Sequence, residues 1–346
     1  VSLPVDIQCV DFAKKWVLAM VEPVLYGDCG HWRDPESGSG PALLEALKEI
    51  GSISGHIEMN IVPWLLWGHS GGGYWTLAMM KYYPERILAV FSYSPAFNPK
   101  WQFPEEAAKI TLFIRHAGSN DCNQNGADCW GTALHAFNKL RKMNAPVSIA
   151  YTPGQNHNFS YVRYMAIPFY EAVLSQRLTG NASSKMKFLD QTKAWLGDTT
   201  TFQIYKASTF PDSKEDLCWL PDSISAVKWK EYVTTGTIFD RTPPSTPYDL
   251  HIKCEKDSVQ LTWKADADIE SGINYFKIYE DGEYTGRFPK SGSYQTFDTN
   301  GDNAIPKILP EMKCRILVQG RNRKVISIST VNHFELESED AKIECH

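Results

Sequence analysis

Compact apolar runs alternate with stretches of helical periodicity along the first half of the chain. Leu43, Leu44, Leu47 and Ile50 repeat at the spacing of one helix face, which predicts a helix over 41–50. The other predicted helices are 11–16, 74–83, 105–109, 133–143 and 161–178, and the predicted buried strands are 61–67, 87–93, 110–115 and 147–151. Because strands that alternate with helices are typical of βαβ units, this region is predicted to form a mostly parallel sheet.

The C-terminal part has a different pattern, with short strand-like runs separated by turn residues from about 244 to 331. Within it, 280–283 has the Asp-Gly centre of a hairpin turn. The segment 240–247 contains three prolines in five residues, which predicts a linker because proline continues neither a helix nor a central strand. The sequence therefore predicts three parts, namely 1–180, 181–243 and 244–346.

The middle part, 181–243, is rich in Thr, Lys, Asp and Trp. Its run 226–232 predicts a helix, and Trp195, Trp219 and Trp229 are expected in a core rather than on a substrate platform. We therefore expect this part to be an extension that docks on the first part.

Composition excludes several classes of protein. A hydrophobic fraction of 43% and a charged fraction of 22% fit a packed globular chain, and 346 residues suggest two domains. The 35 basic and 40 acidic side chains give a net charge of −5, which argues against a nucleic-acid partner. No apolar run approaches the roughly 18 residues of a membrane span. The sequence does not indicate an oligomeric state.

Eight cysteines are present, and no two have Cys-x-x-Cys spacing, so a zinc ribbon or a thioredoxin-like site is not expected. Cys122 and Cys129 bracket a short polar loop, where a local disulfide and two free thiols both remain open. An even number of cysteines suits an oxidising compartment, so we expect a secreted or extracytoplasmic protein at the periplasm or the cell surface.

Gly68-His69-Ser70-Gly71-Gly72 is the motif with the clearest chemical meaning. It follows a predicted strand, precedes a predicted helix and is extended by Gly73, which is the context of a Gly-x-Ser-x-Gly nucleophile elbow. Ser70 is then the candidate nucleophile, and the backbone N–H of Gly71 is the candidate oxyanion donor. The alternative is a glycine-rich turn that shapes only the backbone or binds a phosphate.

A nucleophilic serine needs a base and an orienting carboxylate, which follow it in the order acid, then histidine. Asp121 follows the strand 110–115 and is the candidate acid, with Asp128 as its rival. His157 follows the strand 147–151 in a glycine-containing loop and is the candidate base. His69 is expected to line the pocket and contact the substrate, and His116 is expected to be structural. No metal site is expected.

These residues resemble the α/β-hydrolase superfamily over about 1–180. Within it the sequence is similar to secreted bacterial esterases of the polyester-depolymerase, feruloyl-esterase and acetylxylan-esterase kind, and to dienelactone-hydrolase-like enzymes. The resemblance implies a doubly wound sheet and attack of Ser70 on the carbonyl of a small or polymer-linked ester. His157 would act as base and then as acid, Asp121 would hold its tautomer, and no cofactor would be needed.

The sequence departs from this family at its start, since only 69 residues precede Ser70. The first strands of the family's sheet, and the loop that supplies a second oxyanion donor, have no obvious place in them. We therefore expect the core to lack its first strands and an N-terminal piece to be missing.

The C-terminal part resembles a fibronectin type III sandwich, with Trp263 as its core tryptophan. The resemblance places Cys314 where that family commonly has a tyrosine, and a Cys254–Cys314 bridge is expected to compensate. The module is expected to act as a spacer, with saccharide or surface binding as the alternative.

Two other functions remain open beside an esterase. Ser-x-Gly-Gly also resembles the prolyl-oligopeptidase group, which implies a serine peptidase of the same fold. A non-catalytic binding protein on a hydrolase scaffold is the third hypothesis.

Overall fold

The computed structural model describes residues 7–25, 28–117, 128–151, 157, 162–178, 185–255, 257–295, 310–317 and 324–345. The chain divides into two compact units. We call Pro23–Ile238 the parallel-sheet unit, and Val1–Glu22 with Phe239–His346 the antiparallel unit.

The helices and strands follow one another in an order close to the predicted one. The α-helices are α1 (Ile7–Trp16), α2 (Ser39–Ser54), α3 (Gly71–Tyr82), α4 (Cys129–Lys142), α5 (Val162–Arg177) and α6 (Ser223–Thr235). The strands of the parallel-sheet unit are β1 (Trp64–His69), β2 (Ile87–Tyr93), β3 (Thr111–His116), β4 (Val147–Tyr151), β5 (Trp195–Gly197), β6 (Ile204–Lys206) and β7 (Cys218–Leu220). Those of the antiparallel unit are β8 (Tyr248–Cys254), β9 (Ser258–Lys264), β10 (Ile273–Glu280), β11 (Glu283–Phe288), β12 (Lys313–Leu317), β13 (Lys324–Asn332) and β14 (Ala341–Cys345).

The parallel-sheet unit is built on a four-stranded sheet in the order β1-β2-β3-β4. All three strand pairs are parallel, as the alternating pattern predicted. Every residue of β2 and β3 is buried. Strands buried on both faces carry continuous apolar runs, which is why these segments show no polar alternation.

Two predicted boundaries move for local reasons. Strand β1 begins at Trp64 and not at residue 61, because Pro63 has no N–H to give to a ladder. Helix α2 runs past residue 50 and ends before Gly55, whose φ of +79° is the left-handed conformation that commonly terminates helices.

The middle part of the chain packs against β4. The indole Nε1 of Trp229 donates to the carbonyl of Ile149 at 2.9 Å, and Ser148 Oγ donates to the carbonyl of Trp219. Trp219 and Trp229 are buried and Trp195 is half-buried. The predicted core positions are therefore confirmed at Trp219 and Trp229, and helix α6 covers the predicted 226–232.

Buried arginines fasten loops within this unit. Arg141 donates to the carbonyls of Leu217 at 2.7 Å and Lys214 at 2.6 Å, and also to that of Ala145. Arg177 likewise donates to backbone carbonyls, those of Leu88 at 2.8 Å and Lys109 at 3.0 Å, and burial lowers its pKa to about 10. The carbonyls of turns and helix ends thus receive donors that the backbone does not supply.

The antiparallel unit contains two sheets, ordered β12-β9-β8 and β11-β10-β13-β14. Trp263 lies in its core, with its ring centroid 5.1 Å from that of Phe276 and 5.3 Å from that of Phe288. The predicted hairpin turn is confirmed between β10 and β11. Asp281 and Gly282 both have positive φ, at +50° and +87°, which suits a tight Asp-Gly turn.

A disulfide joins Cys254 to Cys345, with a Cα–Cα distance of 6.1 Å, so the predicted Cys254–Cys314 bridge is wrong. Strand β9 lies between β8 and β12, which separates Cys254 from Cys314, whereas β14 contacts β8. Cys314 is a free thiol. Cys129 is disulfide-bonded, while Cys122 lies outside the described residues.

Helix α1 belongs to the antiparallel unit and contacts its segment 267–268. Gln8 Nε2 donates to the carbonyl of Asp268 at 2.9 Å, and the amide of Ala267 donates to Asp11 Oδ2 at 2.7 Å. The two units therefore differ from the three predicted parts. Residues 1–22 belong to the antiparallel unit, and most of 181–243 belongs to the parallel-sheet unit.

Two buried carboxylates lie near these contacts. Asp240 Oδ2 accepts hydrogen bonds from Ser271 Oγ at 2.6 Å and from Asn332 Nδ2 at 2.8 Å. Asp268 Oδ1 accepts one from the Ser271 amide at 3.1 Å, while its Oδ2 has no hydrogen-bond partner. Burial, together with the charge of Asp240, raises the pKa of Asp268 to about 6.

Candidate active site

Ser70 forms the turn between β1 and α3. Its φ of +53° and ψ of −116° lie outside the regions that L-residues commonly occupy, which costs of order 1–3 kcal/mol. Two backbone hydrogen bonds hold this conformation. The Ser70 amide donates to the carbonyl of Tyr93 at 3.0 Å, and its carbonyl accepts from the Tyr74 amide at 2.9 Å. The side chain is half-buried at the carboxyl end of the sheet.

Two of the glycines around Ser70, Gly68 and Gly73, are required by close packing. A Cβ on Gly68 would overlap the carbonyl of Gly72, and one on Gly73 would lie 2.8 Å from Ser92 Oγ. A Cβ on Gly72 would meet nothing within 4 Å. Gly68 and Gly73 are therefore needed because the chain turns tightly from strand β1 into helix α3.

Gly71 is the first residue of α3, so its amide is among the N–H groups that have no partner within the helix. These groups lie at the positive end of the helix dipole, which favours negative charge. The Trp32 ring covers this helix start, since a Cβ on Gly71 would lie 3.1 Å from its Cη2. Trp32 is not predictable from the sequence, because nothing local connects it to a motif 36 residues away.

His157 lies beside the serine turn. Its carbonyl accepts a hydrogen bond from His69 Nε2 at 2.9 Å, and the two imidazole centroids are 4.7 Å apart. The His69 ring also stacks on that of Tyr93, with the centroids 4.4 Å apart and 11° between the planes. The structure thus brings the candidate base next to the residue that precedes the candidate nucleophile.

Of the two candidate acids, the structure describes only Asp128. Asp121 lies outside the described residues. Asp128 caps helix α4, where its Oδ1 accepts the Gly131 amide at 2.7 Å. A capping carboxylate satisfies a helix amide, which is a structural use of this side chain.

Arg115 forms buried hydrogen bonds at the same carboxyl end of the sheet. It is fully buried, and it donates to Tyr232 Oη at 2.9 Å and to Ser94 Oγ at 3.2 Å. Ser94 follows β2 with φ of +47°, and its amide donates to the carbonyl of Arg115 at 2.7 Å. His116, the next residue, is also buried, which fits its expected structural role. In the sequence, the only sign of this hydrogen-bonding role is that Arg115, a charged residue, lies near the end of strand β3, directly after a run of apolar residues.

Within the described ranges, no three His, Cys, Asp or Glu side chains converge to hold a metal ion. No helix of the same ranges combines the length and apolar character needed to cross a bilayer.

No protein-family model and no curated protein matches this sequence. Among solved structures, the chain is similar to an esterase, PE8, at 19% identity and a TM-score of 0.32, over 44% of this chain and 68% of that one. It is also similar to a variant of SOBER1 from Arabidopsis thaliana at 25% identity and a TM-score of 0.28, over 39% of this chain and 64% of that one.

A third similar structure is the central fibronectin-III array of RIM-binding protein, at 18% identity and a TM-score of 0.21. That match covers 31% of this chain and 33% of the array. The structural neighbours therefore include an esterase and a fibronectin-III array, each similar to part of the chain.

Proposed function

We propose that this protein is a serine hydrolase of carboxylic esters, with Ser70 as nucleophile, His157 as base and Asp121 as the orienting acid. The proposal is supported by Ser70 at positive φ on a strand-to-helix turn, and by the hydrogen bond between the His157 carbonyl and His69, the residue before Ser70. Such a turn exposes a serine hydroxyl above the carboxyl end of a parallel sheet.

The chemistry follows from these positions. His157 removes the hydroxyl proton of Ser70 as the oxygen attacks an ester carbonyl, and later gives a proton to the departing alcohol. The Gly71 amide donates to the oxyanion that develops on the carbonyl oxygen. Water then cleaves the acyl-enzyme. This sequence of steps uses only these side chains and one backbone amide, so we propose no cofactor.

We further propose that the parallel-sheet unit has an α/β-hydrolase fold and that the antiparallel unit is a fibronectin type III-like sandwich. The parallel order of β1 to β4 supports the first proposal, and the three-plus-four division of β8 to β14 supports the second. The Cys254–Cys345 disulfide favours an oxidising, extracytoplasmic location. The proposed substrate is a small-molecule or polymer-linked ester.

A fluorophosphonate probe, which labels activated serines, tests the assignment directly. Wild-type protein should be labelled, Ser70→Ala should not, and Ser52→Ala on the exposed face of α2 should label as wild type does. Equal labelling of Ser70→Ala, or no labelling of wild type, contradicts the proposal and favours a non-catalytic binding protein. For Ser70→Ala we expect kcat on a short-chain nitrophenyl ester to fall at least about 10⁴-fold.

The same assay separates the two candidate acids. Asp121→Asn should lower kcat by about 10⁴-fold, because the base then adopts the wrong tautomer. Asp128→Asn should leave kcat within a few-fold and keep α4 capped, since asparagine caps as well as aspartate. The reverse result would make Asp128 the acid.

Peptide anilides assayed beside nitrophenyl esters distinguish an esterase from a serine peptidase. We expect turnover of the esters only. Comparable kcat/KM on the anilides would favour the peptidase.

A further inference from the structure

His69 stands between three parts of the candidate site. It is the last residue of β1, its ring stacks on Tyr93 at the end of β2, and its Nε2 bonds to the main chain of His157.

The direction of this hydrogen bond is fixed by chemistry. A carbonyl oxygen only accepts, so the proton must be on His69 Nε2. That nitrogen is therefore committed as a donor in both the neutral and the charged imidazole, and it cannot take a proton from Ser70. His69 lies one residue before the nucleophile and yet is excluded from the role of base through this atom.

The bond connects the end of strand β1 to His157, which lies outside the helices and strands. His69 is held by the β1 ladder opposite Tyr93, whose ring also packs on its imidazole face. His157 follows β4 without belonging to a helix or strand. A hydrogen bond from the rigid side to the main chain of the loop residue restricts where that residue's imidazole can lie.

We propose that His69 is a positioning residue, whose Nε2–H holds the main chain of His157 so that its imidazole stays in reach of Ser70. This inference rests on the proposed function. It differs from the pocket-lining role expected from the sequence, because a donor occupied by a main-chain carbonyl is not available to a substrate.

Two substitutions separate the hydrogen bond from the ring packing. His69→Phe keeps an aromatic ring for stacking on Tyr93 but has no donor, whereas His69→Gln keeps an N–H donor and loses the ring. We expect His69→Phe to lower kcat about 10- to 100-fold with KM within two-fold of wild type, because misplaced catalytic groups slow the chemical step. His69→Gln should recover most of that loss.

The contrary results are equally specific. If His69→Phe retains the wild-type kcat, or if His69→Gln loses as much as His69→Phe, the hydrogen bond does not position His157. A raised KM with unchanged kcat in His69→Phe would return His69 to substrate contact. His56→Phe, at an exposed histidine of the same unit, is the matched control and should match wild type in both constants.

A measurement on the wild type avoids any effect of substitution on folding. Two-dimensional ¹⁵N–¹H spectra of the imidazoles report which nitrogen of each histidine is protonated. We expect Nε2–H at His69, and a neutral Nδ1–H form there would overturn the proposal. Fluorophosphonate labelling of the wild type stays the separate test of function. If labelling fails, the esterase assignment fails; if labelling succeeds while the His69 tests fail, only the positioning role is lost.

Discussion

The two units bury charges of opposite sign. Among the described residues of the parallel-sheet unit, the buried charged side chains are Arg115, Arg141, Arg177 and Lys228. In the antiparallel unit they are Asp240 and Asp268. Arginines keep their charge across the physiological pH range, whereas burial and the charge of Asp240 raise the pKa of Asp268 to about 6. Among these buried charges, we therefore expect the pH dependence of stability to come from Asp268 in the antiparallel unit.

The units also differ in where covalent and backbone constraints lie. The antiparallel unit has a disulfide that closes 91 residues of chain, from Cys254 to Cys345. The parallel-sheet unit instead places an unfavourable backbone conformation at Ser70, the proposed nucleophile. The disulfide stabilises the antiparallel unit by closing a long loop, while the parallel-sheet unit, which contains the disulfide-bonded Cys129, carries backbone strain at its candidate site.

Removing the crosslink should give the largest change in stability. Cys345→Ser should lower the free energy of unfolding of the antiparallel unit by about 4 kcal/mol, since a loop of this length is no longer closed in the unfolded chain. Denaturant unfolding, followed for each unit, measures it. The control Cys314→Ser replaces a free thiol and should cost much less. Similar losses in both variants would mean that the crosslink contributes little.

Replacing Arg141 tests whether a buried positive charge in the parallel-sheet unit stabilises the protein independently of pH. Arg141→Met leaves the carbonyls of Leu217, Lys214 and Ala145 without their donor, at roughly 1–3 kcal/mol for each group that stays buried. We expect a net loss of about 3 kcal/mol that does not vary between pH 5 and 8. Lys142→Met, exposed on the same helix, should be nearly neutral. A loss that varies with pH would break the contrast between the units.

Replacing Asp268 should change the free energy of unfolding by less than replacing Arg141, and it should stabilise the protein where Arg141→Met destabilises it. Its folded pKa of about 6 exceeds the ordinary 3.8, so the folded state binds the proton more tightly, and stability falls as pH rises from about 4 to 6. Asp268→Asn keeps an acceptor at the Oδ1 position and removes this fall, so it should stabilise the unit by about 2 kcal/mol at pH 7. At pH 3.5 the gain should vanish.

Unfolding of wild type, Asp268→Asn and Asp257→Asn across pH 3.5 to 8 measures that difference. Asp257 is exposed in the same unit, so its substitution should follow the wild-type curve. If Asp268→Asn is less stable than wild type at pH 7, the carboxylate is stabilising and the buried acids do not set the pH dependence.

The sequence predicted features that depend on neighbours along the chain. The serine turn, the parallel order of β1 to β4 and the Asp281-Gly282 hairpin all follow from local spacing and glycine placement. Features that depend on distant partners were not predictable. Arg115 bonds to Tyr232 across 117 residues, and Gln8 bonds to Asp268 across 260.

Cysteine pairing shows the same limit. Parity and spacing permit many pairings, and only the strand order shows that β14, and not β12, lies next to β8. For the candidate site, sequence order selected His157 but did not indicate that its main chain is held by His69. Motifs thus identify candidate reacting groups, while the contacts that hold them are set by the tertiary fold.

The strain at Ser70 should give the smallest effect on stability. Glycine tolerates positive φ and alanine does not, so Ser70→Gly should be more stable than Ser70→Ala by about 1 kcal/mol in denaturant unfolding, although both lack the nucleophile. The same pair at Ser52, within helix α2, should show the reverse order, because glycine is about 1 kcal/mol worse than alanine in a helix. If alanine is the more stable residue at both positions, the Ser70 turn is unstrained, and the backbone strain assigned to the proposed nucleophile is wrong.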